Sequence, residues 1–176
     1  MARNVEIKAR LSDPAATRRL VERAAGGPPR TLVQADTFFR VERGRLKLRE
    51  MPGGASELIY YERDDRSGPK ESRFTRVAVP DAPALRSLLA SALGERGRVE
   101  KLRLLYRVGR TRIHLDRVAG LGDFLELEVE LGPDETVEAG AEEARSLMAR
   151  LGVGVDALVP EAYVDLLDRD RDTGRA

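Results

Sequence analysis

The sequence of 176 residues contains no cysteine, which excludes disulfides, thiolate metal sites and a cysteine nucleophile. No apolar run comes near the roughly 20 residues that a membrane span requires. The opening stretch MARNVEIKAR lacks the apolar core of a signal peptide, so a cytoplasmic location and no membrane partner are expected. An excess of one charge is missing as well: 31 Lys and Arg stand against 30 Asp and Glu, for a net charge of +1. A general polyanion binder would show an obvious basic excess, so nucleic acid is not an expected partner, although a local basic pocket stays compatible with the balance. Neither a P-loop nor a dinucleotide fingerprint occurs. Histidine is represented once, by His114.

What the chain does have is charge, at 35% of residues, laid out in strict two-residue alternation, the signature of half-buried strands. Residues 3–10 set Asn4, Glu6, Lys8 and Arg10 against Val5, Ile7 and Ala9. Strands are also expected at 31–41, 45–49, 57–63, 70–79, 99–108, 110–118 and 124–131. Amphipathic helices are expected at 14–25, 82–93 and 138–151, with a short one near 161–167; Asp13 and Pro14 form a good helix start. Length and pattern give a single domain over 1–168 and a polar tail, 169–176, expected to be loose. Hairpin-like connections and helices on one face make the class α+β, with an antiparallel sheet.

An alternating polar face ordinarily faces water. Here, however, the signs are segregated by strand. Lys47 and Arg49 share one strand face, Lys101 and Arg103 another, and Glu126 and Glu128 a third. Like charges two apart on a strand lie roughly 7 Å from each other and repel. A surface shaped for solubility would intersperse them, whereas a site for a strongly anionic ligand and a cation would sort them. The helices need the apolar faces, so the ionic faces must point the other way: to solvent in an open sheet, to the lumen in a closed barrel. Periodicity does not choose between the two.

Several segments in order resemble the CYTH (triphosphate tunnel metalloenzyme) family, and within it the class IV adenylate cyclase-like bacterial members. They are Asn4-Val5-Glu6-Ile7-Lys8-Ala9-Arg10, Asp36-Thr37-Phe38-Phe39, Leu46-Lys47-Leu48-Arg49 and Lys101-Leu102-Arg103. His114-Leu115-Asp116 running into Gly120-Leu121-Gly122-Asp123-Phe124, then Glu126-Leu127-Glu128 and the ending Ala162-Tyr163-Val164-Asp165-Leu166-Leu167, complete the set. The resemblance implies an eight-stranded antiparallel closed β-barrel with helices packed on the outside and a charged lumen. It implies Mg²⁺ or Mn²⁺ held by Glu6, Asp116, Glu126 and Glu128, which would be the catalytic residues. It also implies phosphates held by Lys8, Arg10, Lys47, Arg49, Arg63, Lys101, Arg103 and Arg112.

The substrate class implied is a triphosphate-containing small molecule, with ATP cyclised to cyclic AMP and pyrophosphate as the leading reaction. Hydrolysis of inorganic triphosphate, thiamine triphosphate or a nucleoside triphosphate is the alternative, and a non-catalytic polyphosphate- or nucleotide-binding module is a third reading. A homodimer stays open as an assembly. One departure matters: the family's first strand usually begins Glu-x-Glu-x-Lys, and here the first position is Asn4, which weakens the case for a second metal and leans slightly towards cyclisation. His114 is expected to be a neutral, hydrogen-bonded lumen residue, with general-base work as the other reading.

Overall fold

The computed structural model describes residues 1–53 and 55–173. The chain runs β1 (Ala2–Arg10), α1 (Pro14–Ala25), β2 (Arg30–Phe39), β3 (Arg45–Glu50), β4 (Ser56–Arg63), β5 (Lys70–Val79) and α2 (Ala82–Leu93). It continues with β6 (Glu95–Val108), β7 (Thr111–Val118), β8 (Gly122–Leu131), α3 (Val137–Arg150), a 3-10 turn (Val155–Ala157) and α4 (Tyr163–Thr173). Helix α4 extends beyond the expected 161–167 and takes in part of the tail; residues 174–176 of that tail lie outside the described residues.

All eight strands pair antiparallel in the closed order β1-β5-β4-β3-β2-β6-β7-β8, with β1 also pairing β8. Closure settles what the alternation left open. The register sets Glu6 opposite Glu128, Lys8 opposite Glu126, His114 opposite Glu126, and Arg103 opposite Asp116. Since side chains alternate with period two, these residues share the inner face.

The apolar faces turn outward and the main hydrophobic core lies between barrel wall and helices. Val5, Ile7, Ile113, Leu125, Leu127 and Val129 pack against Ala144, Leu147, Met148 and Leu151 of α3 and Val21 of α1. Each such aliphatic side chain, fully buried, contributes roughly 1.5–3 kcal/mol. Contact with α3 is closest at Gly140, where a Cβ would stand 2.8 Å from both Leu131 Cδ2 and Val5 Cγ2. Helix α2 covers Phe39 and Leu48 with Ala82, Leu85 and Leu89.

A third cluster closes one end of the barrel. Phe38, Val99 and Phe124 point inward there and meet Ala162, Tyr163, Val164 and Leu166. The stretch before α4 is tied to the wall by Val159 N donating to Lys8 O at 2.8 Å and by a bridge between Ala9 and Leu158. The lumen therefore has a floor, built by residues 158–166, and a mouth at the opposite end.

Candidate functional site

Above the floor lies a cavity of about 810 Å³ counted out to the mouth. Seven cationic side chains line it (Lys8, Lys47, Arg49, Arg63, Lys101, Arg103 and Arg112) together with four carboxylates (Glu6, Asp36, Glu126 and Glu128). Such a density of buried charge is tolerable only because nearly every member is paired. On one wall Asp36, 2% exposed, accepts from Arg49 Nε and Nη2, both at 2.7 Å, and from Lys47 Nζ at 2.9 Å. One strand beyond β6, Asp116 of β7 accepts from Arg103 Nε at 2.7 Å and Nη2 at 2.6 Å, Lys101 Nζ at 3.2 Å and the Tyr163 hydroxyl at 3.1 Å. Arg103 also reaches Glu126 Oε2 at 2.5 Å, Arg112 Nη2 reaches Glu128 Oε2 at 2.8 Å, and Arg63 reaches Glu6 Oε1 at 2.7 Å.

At the floor, three cations also donate to backbone carbonyls. Lys8 Nζ donates to Glu161 O at 2.9 Å, and Lys70 Nζ and Arg63 Nη2 donate to Pro160 O at 2.9 and 3.0 Å. The Tyr163 ring lies beneath Lys8 and Lys101, 3.9 and 5.1 Å from their ammonium groups, a cation–π arrangement.

These surroundings move the titrations. Burial, reinforced by Arg63 and Lys101, brings Lys8 down to about 8. Burial, with Arg49 and Lys101 adding to it, does the same to Lys47, and burial beside Arg63 and Lys8 brings Lys70 to about 8. Burial alone would raise Asp36, but Arg49 and Lys47 outweigh it and hold its carboxyl well below the usual carboxylate range. Glu128 is held at about 2, its burial overcome by His114, Arg112 and Arg103. Burial first, and then Arg103, lowers His114, so the imidazole is neutral at pH 7.

The residues expected to act together do not all share one environment. Lys8, Lys47, Arg49, Arg63, Lys101, Arg103, Arg112, Glu6, Glu126 and Glu128 line the cavity. Arg10 sits apart: one step past the floor and exposed, it donates to Leu121 O at 2.6 Å and lies 4.7 Å over the Phe124 ring. Asp116 is fully buried behind the lining, with both oxygens occupied by protein donors. His114 was expected to be hydrogen-bonded; among the described residues its buried Nδ1 has no hydrogen-bond partner.

Sequence reasoning gave no site role to Asp36, Tyr61 or Tyr163, which line the cavity, or to Lys70, which braces its floor. Alternation through Gln34, Asp36 and Phe38, and through Lys70, Ser72 and Phe74, was the available signal for Asp36 and Lys70. Tyr163 comes from a helix start, where no strand period points inward.

Glu126 and Glu128 each have one oxygen held by arginine, leaving Glu126 Oε1, with Lys8 Nζ no closer than 3.6 Å, and Glu128 Oε1 facing the lumen. His114, Glu126 and Glu128 offer ligand atoms within 4.8 Å of one another. Two hard oxygens and an open cavity fit a divalent ion.

The sequence profile of the CYTH domain family matches residues 2–163. The chain belongs to the CYTH family. CYTH members are enzymes that act on triphosphate substrates. No curated protein matches the chain. Among solved structures, the PH1012 protein of Pyrococcus horikoshii OT3 is similar at TM-score 0.83 and 25% identity, over 93% of this chain and 98% of that one. A candidate adenylate cyclase from Vibrio parahaemolyticus is similar at TM-score 0.77 and 22% identity, covering 94% and 97%. A candidate adenylyl cyclase from Hippeastrum, whose dominant activity is that of a triphosphatase, is similar at TM-score 0.64 and 16% identity, covering 90% and 91%. At these identities the last two speak to the CYTH fold alone. No helix among the described residues is long and apolar enough to cross a membrane.

Proposed function

We propose that this CYTH protein is a metal-dependent enzyme that cyclises ATP to cyclic AMP and pyrophosphate in its tunnel. The observation that carries the triphosphate part is the lumen inventory: seven cations against four carboxylates around one enclosed space. That surplus calls for a ligand of several negative charges. Lys8, Lys47, Arg49, Arg63, Lys101, Arg103 and Arg112 would hold its phosphates, the arginines through paired N–H groups and the lysines as point charges. Glu126 and Glu128 would hold the cation, with Glu6 joining them once Arg63 turns to phosphate. Asp116 is better suited to positioning Arg103 and Lys101 than to binding metal. When bound, the divalent ion supplies Lewis-acid neutralisation of charge on phosphate oxygens.

Two features near the mouth favour a nucleotide. Ile59 and Phe74 line the cavity and offer an apolar shelf for a base. Asn4, 3% exposed and lining the same cavity, contributes no charge where a second cation would need one. In the cyclisation the ribose 3′-hydroxyl gives its proton to water and its oxygen bonds the α-phosphorus, while the bond from that phosphorus to the bridging oxygen breaks and pyrophosphate leaves. The protein's share is positioning and charge stabilisation.

Incubation with ATP, and separately with tripolyphosphate, in Mg²⁺ or Mn²⁺ tests the proposal by product identity. Cyclic AMP with pyrophosphate is expected. Orthophosphate from tripolyphosphate without cyclic AMP would replace cyclisation by hydrolysis, and calorimetric binding without any turnover would make the chain a binding module.

A further inference from the structure

We propose that His114 supplies an imidazole nitrogen to the tunnel's cation, so that the site prefers a transition ion such as Mn²⁺ over Mg²⁺. The inference rests on the reading that Glu126 and Glu128 take a divalent ion, and concerns what the third donor does to it.

His114 is on β7, directly opposite Glu126 of β8, and is 3% exposed. Among the described residues its Nδ1 has no hydrogen-bond partner. The nearest acceptors are Glu126 Oε2 at 3.6 Å and Glu128 Oε1 at 3.7 Å, both beyond hydrogen-bond distance. A buried polar atom left in this condition is costly, and among the described residues the groups beside it are two carboxylates. Those carboxylates are fixed from behind by Arg103 and Arg112, so neither swings freely to meet the imidazole. A cation between the three groups satisfies the nitrogen, Glu128 Oε1 and one oxygen of Glu126 at once. Donors within 4.8 Å of one another need to close only slightly, since two ligands at about 2.2 Å from one ion stand at most about 4.4 Å apart.

The mix of donors sets the preference. Mg²⁺ is a hard ion that favours oxygen and gives up water reluctantly. Imidazole suits the later first-row ions, and affinity for a mixed nitrogen and oxygen site rises from Mn²⁺ towards Cu²⁺. A single nitrogen beside two carboxylates therefore favours Mn²⁺ and Co²⁺ over Mg²⁺ without excluding Mg²⁺.

The test uses the full chain with Mn²⁺ alone and with Mn²⁺ plus tripolyphosphate, read by electron spin echo modulation and by competition against Mg²⁺. Wild type should show nitrogen modulation from one imidazole. His114→Ser should lose it and lower the Mn²⁺-over-Mg²⁺ preference by roughly tenfold or more, with Mg²⁺ affinity little changed. His114→Gln, which restores an oxygen and much of the volume, should keep Mg²⁺ binding and still lack the modulation. Bound Mn²⁺ without nitrogen coupling in wild type, or an unchanged preference in His114→Ser, overturns the role of His114 while leaving the carboxylate site standing. Failure of Mn²⁺ to bind under either condition overturns both, and neither result depends on which product ATP yields.

Discussion

Asp36 offers the sharpest test of how this tunnel is balanced before substrate arrives. Its carboxylate is 2% exposed and accepts three short hydrogen bonds, two from Arg49 and one from Lys47. In the protein alone it is the counter-ion of that wall. Asp36→Asn keeps the shape and removes the charge, leaving two buried cations facing an amide. Breaking a buried pair from one side costs about 3–5 kcal/mol; for a chain of this size each kcal/mol shifts Tm by about 2–4 °C. A fall of roughly 6–20 °C is therefore expected at pH 7 in thermal unfolding. Because Lys47 already titrates at about 8, it can shed its proton, and the loss should shrink by pH 9. Tripolyphosphate supplies the anion the variant lacks, so its stabilisation, which follows RT ln(1 + [L]/Kd), should exceed that of wild type at equal concentration. A variant as stable as wild type, or one that gains no more from tripolyphosphate, would refute the idea that Asp36 holds the place of a ligand charge.

Glu126→Gln should lower metal-dependent turnover about 100-fold or more, since several kcal/mol of charge stabilisation are at stake, while circular dichroism stays unchanged; near-normal turnover would remove β8 from the chemistry. Lys8, Lys47 and Lys70 all titrate at about 8 in the folded chain against about 10.4 unfolded. The native state thus binds fewer protons than the unfolded state between those values, and stability of the free protein should rise from pH 8 towards pH 10. Binding of an anion reverses the preference: tripolyphosphate affinity should fall as pH rises through 8 to 9, with proton uptake visible as a buffer-dependent enthalpy in calorimetry, and a flat profile would contradict the burial of these ammonium groups. Gly140→Ala gains up to about 1 kcal/mol of helix propensity, but its Cβ would stand 2.8 Å from Leu131 and Val5; overpacking at about 1–3 kcal/mol should win and lower Tm, which a thermal melt would show.

The strand layout was legible because period two survives wherever one face is apolar: β1, β3, β7 and β8 lie within a residue or two of their expected bounds. Strand β6 starts at Glu95 rather than 99 because Glu95, Arg96, Gly97 and Arg98 present no apolar partner face. Gly97 eases a close approach there, since Val164 of α4 passes 3.2 Å from where its Cβ would stand. The part of helix α4 beyond 167 reads as polar tail for a related reason: Asp168 pairs with Arg96, a contact that no local period announces. The direction of the charged faces was legible only through the family resemblance and not in the periodicity, because it follows from ring closure between β1 and β8, a pairing of residues more than a hundred apart.

The pairing inside the ring adds something the charge count does not. Most of the lining carboxylates already sit on arginine or lysine, so an incoming anion must compete with Asp36, Glu6, Glu126 and Glu128 for the same donors. A single phosphate can replace one such partner and gains little, because it exchanges one charge-assisted hydrogen bond for another. A triphosphate reaches several donors in one binding event, on walls facing each other across the lumen, and spends its ordering entropy once. On the proposed reading, the internal ion pairs therefore act as a threshold that favours long polyanions over short ones. The Asp36→Asn variant should lower that threshold, raising orthophosphate affinity by a larger factor than tripolyphosphate affinity, which paired calorimetric titrations would measure; equal gains would mean that the pairs stabilise the fold without sorting ligands.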